Sequence, residues 1–409
     1  MSGREELLSE LGARLFASLP RSDQRRMALT YVRGLLTARG RRSFRNMAAC
    51  LGGPRLEQSL HHFVSCSTWD WAPVARAVAD LMTPVAPPGG WVLRSVVTPR
   101  EGNSTVGVHK RFLPGSGQVV NAQYAVGLWA GSPGGCYPLA WRLLLPPEWL
   151  EDDARRTRAS IPDDRRSETP VECATAAYLG LAAELRGTLP IVMDVCGPDM
   201  DTAAAVHRLR ATGVPFLVRA YRTLHLTVAD PALRGLGPGP VSTHTILAAA
   251  EGSHRPLMAP VPPGARAARV LTAAVRVRSP HHPVPQAPGS GHDPYDLLLF
   301  RARTGPGQSD EVWLTDMVDA DPATLLRTTA LARQVDDSFR HVTERIGIRD
   351  FTGRSYGGWN RHTTLASAAH AIALLSDERK DLPLAAASVA ESAPSPAGPG
   401  LNSPVMSAS

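Results

Sequence analysis

Cysteine is scarce and unpaired in this sequence: Cys50, Cys66, Cys136, Cys173 and Cys196 form no C-x-x-C pair, which argues against a disulfide framework and a thiolate zinc site. The reducing cytosol is the compartment that fits. No run of about 18 apolar residues occurs, so no membrane span or membrane partner is expected. The opening stretch MSGREELLSELGARLFASLP mixes acids with arginines and has no apolar h-region, so no secretion signal is expected either. Also missing are a G-x-S-x-G elbow, a P-loop and a G-x-G-x-x-G after a strand, which removes the usual nucleophile-elbow hydrolases and nucleotide-binding folds. Lysine is nearly absent, with Lys110 and Lys380 the only two. Arginine in its place is what GC-rich coding produces, so the placement of the charge informs more than its total.

What is present is a globular composition: 409 residues, 43% hydrophobic and 20% charged, with 36 Pro and 35 Gly pointing to long loops. The formal net charge is +7. Eight arginines (Arg21, Arg25, Arg26, Arg33, Arg39, Arg41, Arg42 and Arg45) against the single acid Asp23 make a local surplus that equals it. Met27, Tyr31 and Leu35 fall at i, i+4, i+8, a second helix is expected over 43–50, and Leu56, Leu60, Phe63 and Val64 mark a third. A basic three-helix stretch of this kind has helix-turn-helix character, with Arg25, Arg26, Arg33, Arg39, Arg41, Arg42 and Arg45 as candidate DNA contacts; a solvated arginine face is the alternative.

Beyond a Pro/Gly linker over 84–90 the pattern turns strand-like. Strands are expected over 91–97, 105–112, 118–129 and 137–145, then a helix (170–186), a strand (189–195), a helix (201–212) and a strand (214–220). A three-strand meander followed by alternating helices and strands is the order of an RNase H-like α/β core. The expected organisation is a helical basic DNA-binding domain (1–88), the first part of the core (89–220), a β-rich insertion (221–317), the last part of the core (318–376) and a disordered tail (377–409). Within these, 321–347 is helical and 363–375 is a buried apolar helix.

RNase H-like nucleases need carboxylates on the first strand, the fourth strand and a late helix to bridge two divalent metals roughly 3.5–4 Å apart. Asp194 ends the apolar run 189–193 and meets the fourth-strand address, unless it merely caps the turn at Gly197 and Pro198. Asp336 and Asp337 meet the late-helix address, and since neighbours on a helix point about 100° apart, at most one faces the site. The first-strand address holds Arg94 and Ser95, and from Leu81 to Pro147 the only carboxylate is Glu101. The pairs His61-His62 and His281-His282 lack metal-ligand spacing.

These residues carry a resemblance. The chain resembles the DDE insertion-sequence transposases of the IS-seven-hundred-one type through Tyr31-Val32-Arg33-Gly34-Leu35-Leu36, Arg42-Ser43-Phe44-Arg45-Asn46-Met47-Ala48, Ser59-Leu60-His61-His62-Phe63-Val64 with Trp69-Asp70, Ser104-Thr105-Val106-Gly107-Val108 with Asn121-Ala122-Gln123, Arg142-Leu143-Leu144-Leu145-Pro146 with Trp149, the Asp194 strand, and Gly358-Trp359-Asn360-Arg361-His362. The resemblance implies an RNase H-like core, double-stranded DNA with terminal inverted repeats as partner, a homodimer, Mg²⁺ held by Asp194 and Asp336, and cut-and-paste strand transfer. The family's first acid is missing at Arg94/Ser95, and Val335-Asp336-Asp337 stands for its Ile-Glu-Glu.

The reading is therefore a cytoplasmic DNA-binding protein of the transposase family, nucleoid-associated when bound, with a defective catalytic site. It is either a decayed transposase or a recruited regulator. Arg94 is expected to pair with Asp194 in place of a metal, and Arg361 and His362 either pack or touch DNA. The competing readings are an active Mg²⁺ transposase using Glu101 as substitute acid, and a non-DNA role on the same fold.

Overall fold

The computed structural model describes residues 3–113, 116–195, 200–253, 255–258, 269–278, 296–303 and 311–381. Its N-terminal layer is α1 (Gly3–Leu15), α2 (Ser22–Thr37), α3 (Phe44–Leu51), α4 (Pro54–His61) and α5 (Ala72–Met82). α3 starts where Ser43 caps it, its hydroxyl accepting from the Asn46 N–H at 3.2 Å. α4 opens on Pro54, which has no N–H to leave unpaired, and runs straight into a π-turn, His62–Cys66. The stretch 84–90 is held against the sheet: Ala86 is buried and accepts from the Tyr137 hydroxyl at 3.2 Å, and the Gly89 N–H donates to Gly131 at 2.8 Å.

The next strands are β1 (Gly90–Pro99), β2 (His109–Leu113), β3 (Gln118–Gly131) and β4 (Tyr137–Leu143). The strand expected from 105 begins only at His109, because Gly107 has φ +74° and turns the chain. α6 (Pro147–Leu150), α7 (Asp153–Ala159), α8 (Pro170–Leu179) and α9 (Ala183–Arg186) follow, then β5 (Ile191–Asp194), α10 (Thr202–Arg210) and β6 (Phe216–Arg219). The helix expected over 170–186 is therefore two, broken at Gly180.

β1 is antiparallel to β3 and β3 to β4, while β1 is parallel to β5 and β5 to β6. This spatial order, β4-β3-β1-β5-β6, is the one expected of an RNase H-like core. The chain then adds β7 (His225–Val228), β8 (Pro240–Ser242), α11 (Thr243–Ala249), β9 (Arg255–Met258), β10 (Arg269–Arg278), β11 (Leu297–Arg303) and β12 (Glu311–Thr315). The β-rich region does not stand apart from the core: β12 pairs with β6, so the described residues form one twelve-stranded sheet.

α12 (Pro322–Ser338) passes through a second π-turn, Phe339–Thr343, into α13 (Glu344–Ile346), and α14 (Tyr356–Asp381) closes the described chain. α14 packs on α1, α2, α5, the first π-turn and β4, with Leu365, Ala366, Ala369 and Ile372 buried. It begins seven residues earlier than the apolar run over 363–375 indicated, so Trp359, Arg361 and His362 lie inside the helix and not before it. The expected tail lies, from 382 onward, outside the described residues.

Candidate catalytic site and basic surface

β1 and β5 run parallel with Val92 opposite Val192 and Arg94 opposite Asp194. Side chains alternate along a strand, so Arg94 shares its face with Val92 and Ser95 shares the other with Trp91 and Leu93. The two faces have different neighbours. On the Arg94 face, Val92 opposes Trp129, whose ring meets Phe339 at 6.2 Å and His370 at 5.5 Å. On the Ser95 face, the Trp91 indole donates to Arg186 in α9 at 2.8 Å. The position facing Asp194 and α12 is therefore Arg94.

Each acid is held by a guanidinium. Arg219, at the end of β6, grips Asp194 with two bonds, Nε to Oδ1 at 2.6 Å and Nη2 to Oδ2 at 2.9 Å. The Asp194 side chain is 9% exposed, and a carboxylate that buried requires such a partner. Arg94 Nε donates to Asp336 Oδ1 at 2.5 Å. Both cations sit over rings, Arg94 at 3.9 Å from the Phe339 centroid and Arg219 at 4.4 Å from that of Trp313. A guanidinium fixed between a carboxylate and a ring face has little freedom to leave either. The expected Arg94–Asp194 pairing is thus corrected: Arg94 reaches across to α12, because Arg219 from the neighbouring strand already occupies the Asp194 oxygens.

Of the two helix acids, Asp336 faces β1, while Asp337 is 61% exposed and bonded to Arg340 at 2.6 Å. Glu101 is exposed in the turn after β1 and is not brought to the site; the strand alone puts Pro99 roughly 16 Å from Arg94 at about 3.3 Å per residue. Residues 196–199, on which a capping role for Asp194 would rest, and His281-His282 lie outside the described residues. A cavity of about 370 Å³ lined by Trp71, Leu139, Trp141, Leu181 and Asn360 includes neither acid.

The donors present do not fit a pair of divalent cations. The first-strand position carries a cation, both oxygens of Asp194 are engaged by Arg219, and Oδ1 of Asp336 is engaged by Arg94. Among the described residues, no three of His, Cys, Asp and Glu are grouped to hold a metal ion.

On the basic surface, Arg26, Arg39, Arg41 and Arg45 are exposed, and Arg25, Arg33 and Arg42 half-buried. Arg25 is bonded to the Leu19 carbonyl at 2.5 Å. Of the two roles open to Arg361 and His362, the structure places them in packing and not at a DNA surface, since both are buried and committed to the interior. Arg361 donates to the Trp69 and Val64 carbonyls, each at 3.0 Å, the latter inside the first π-turn. His362 Nε2 lies 3.1 Å from the Gly347 carbonyl and so donates, leaving Nδ1 to accept from Tyr31 at 2.8 Å. Burial pushes His362 down to about 4.

Sequence reasoning missed Arg219. Its signal was available, an arginine closing the apolar run Phe216-Leu217-Val218 as Asp194 closes its own. No described helix is long and apolar enough to cross a membrane.

No curated protein matches the chain. The family model described as DDE superfamily endonuclease matches residues 14–244, more than half of the 409. The match runs from the N-terminal helices through Arg94, Asp194 and Arg219, and on this evidence the chain belongs to the DDE superfamily endonucleases.

Proposed function

We propose that this chain is a DNA-binding protein of the DDE transposase type, akin to the IS-seven-hundred-one elements, that no longer cleaves DNA. It is either a decayed transposase or a regulator recruited from one. The observation that carries the reading is the Arg94–Asp336 ion pair, opposite an Asp194 that is itself held by Arg219. DDE superfamily endonucleases are generally divalent-metal dependent, because metal ions bound to carboxylates activate the nucleophile and stabilise the leaving oxygen. Two arginines now neutralise two carboxylates internally, and a dication approaching them meets positive charge. Losing metal assistance of several kcal/mol corresponds to orders of magnitude in rate, each ~1.4 kcal/mol being tenfold.

The chain's own residues retain what binding needs. Exposed arginines on α2, α3 and the turn between them present one sign of charge, suited to phosphates of double-stranded DNA. An active enzyme completed by Glu101 would need that exposed turn to reach Asp194, and nothing in its placement favours this.

The test is cleavage of a duplex carrying terminal inverted repeats, with Mg²⁺ or Mn²⁺, while binding is recorded in the same samples. Binding that weakens steeply between about 50 and 200 mM salt, without cleavage, is expected. The informative variant is Arg94→Asp, since Ser95 lies on the other face. It should give Mn²⁺-dependent thermal stabilisation that the unaltered protein lacks. Cleavage by the unaltered protein that is lost on Asp194→Asn would overturn the reading.

A further inference from the structure

We propose that Arg41, Arg100 and Arg349 form a seat for the phosphodiester backbone of one DNA strand, leading from the N-terminal helices to the Arg94–Asp336 pair. The proposal rests on the DNA-binding reading and names the residues through which that strand approaches the site.

Three segments remote in sequence meet at this place. The turn between α2 and α3 is anchored by the Arg42 N–H, which donates to Asp350 Oδ2 at 2.7 Å. Gly347, at φ +89°, allows the contact: a Cβ there would stand 2.6 Å from Asp350 Oδ2 and 2.8 Å from the Arg42 Cβ. Arg100, just past β1, donates from Nε to Gln123 Oε1 at 2.8 Å and from Nη1 to the Arg349 carbonyl at 2.9 Å. Gln123 is itself oriented, since its amide donates to the Val106 carbonyl at 2.6 Å. Arg349 then approaches the same Phe339 ring as Arg94, at 5.3 Å against 3.9 Å.

Charge does not balance here. Arg94, Arg100 and Arg349 lie together with two ion-paired acids, Glu344, which holds Arg349 at 2.9 Å, and Asp336, which holds Arg94; Asp350 takes the Arg42 backbone N–H, while the Arg42 guanidinium turns to the Leu35 and Gly40 carbonyls. Arg349 Nε is buried with no partner. Burial and the repulsion of Arg41 and Arg349 lower Arg100 to about 10, and burial with Arg94 lowers Arg349. A group of like charges held together by backbone and amide contacts is relieved by an anion. The seat continues into exposed Arg39 and Arg45, so a polyanion matches it better than a single phosphate.

The test uses the full chain and a fluorescein-labelled duplex of about 30 base pairs, with anisotropy read from about 50 to 200 mM salt. Arg100→Gln and Arg349→Gln should each make the log–log salt slope shallower by about 0.9, so that the loss of affinity over that range becomes roughly 3.5-fold smaller per contact. Arg349→Lys, which keeps the charge, should keep the slope. Folded Gln variants with unchanged slope and affinity would overturn the seat while leaving DNA binding by the N-terminal arginines intact; no salt-dependent binding by the unaltered protein would remove both. Should a Gln variant not fold, the unaltered protein decides: DNA should protect Arg41 and Arg349 from phenylglyoxal, read by peptide mass spectrometry, and equal modification with and without DNA refutes the proposal.

Discussion

Asp194 and Asp336 are both paired with arginine, but burial sets different values on the two pairs. The Asp194 side chain is 9% exposed and its Arg219 partner 22%, whereas Asp336 is 39% exposed. Removing Arg219 strands a buried carboxylate, at about 3–5 kcal/mol; Arg94 is itself only 17% exposed, but its loss leaves Asp336 where water screens the charge, at about 1 kcal/mol or less. Arg219→Ala should therefore lower unfolding free energy by about 3 kcal/mol or more, and Arg94→Ala by much less. Urea denaturation of the two variants checks the ranking, and equal losses would contradict it. The acid at the end of an apolar run was legible in the sequence because such a placement is costly without a purpose. Its partner was not, because nothing in spacing alone says which arginine arrives from the next strand.

At the scale of elements, α14 is the clearest case of tertiary contacts extending what periodicity indicates. The apolar run predicts a buried helix, but the polar residues ahead of it gave no reason to continue the helix back to Tyr356. They are helical because their side chains have buried partners: Arg361 in the first π-turn, His362 at Tyr31, and Thr364 and Asn360 packed inside. Further along, His370 Nε2 donates to the Cys136 carbonyl at 2.9 Å and Nδ1 accepts from Thr343 at 2.9 Å, tying α14 to the second π-turn just beyond Asp336. Burial lowers both His362 and His370 to about 4, against 6.5 in the unfolded chain. Between these values the unfolded chain takes up protons that the fold refuses, so stability is full above about pH 6.5 and falls as pH drops toward 4. Two such histidines contribute a loss on the order of 3 kcal/mol each across that window, a large part of a domain's net stability. Thermal midpoints measured from pH 7 to 4 should fall steeply, and His370→Gln should flatten the curve; a midpoint that does not move would remove the argument from burial.

For the whole molecule, the N-terminal helices and the sheet share one hydrophobic core. Phe16, Tyr31, Met47 and Phe63 are continuous with Trp91, Trp129 and Phe339 through α14. Arg26, Arg39, Arg41 and Arg45 are left on the outside of this packing, and can change without cost to the core. Replacing Arg26, Arg39 and Arg45 together by Ala should change stability by no more than about 0.5 kcal/mol per site while weakening DNA binding and making its salt slope shallower. Unchanged binding would refute the N-terminal face as the contact surface; a large loss of stability would contradict its exposure.

By itself the sequence determined the α/β order of the core, the basic face, the acid closing β5 and the absence of an acid on β1. These are local facts, set by hydrophobic period and residue identity. The tertiary structure alone decided that Arg94 and not Ser95 occupies the first-strand position, that Asp336 and not Asp337 faces it, and that Arg219 holds Asp194. The physical reason is separation: the Arg94–Asp336 bond joins residues 242 apart and the Arg219–Asp194 bond residues 25 apart on different strands, and only the register of β1, β5 and β6 under α12 brings those side chains onto one face.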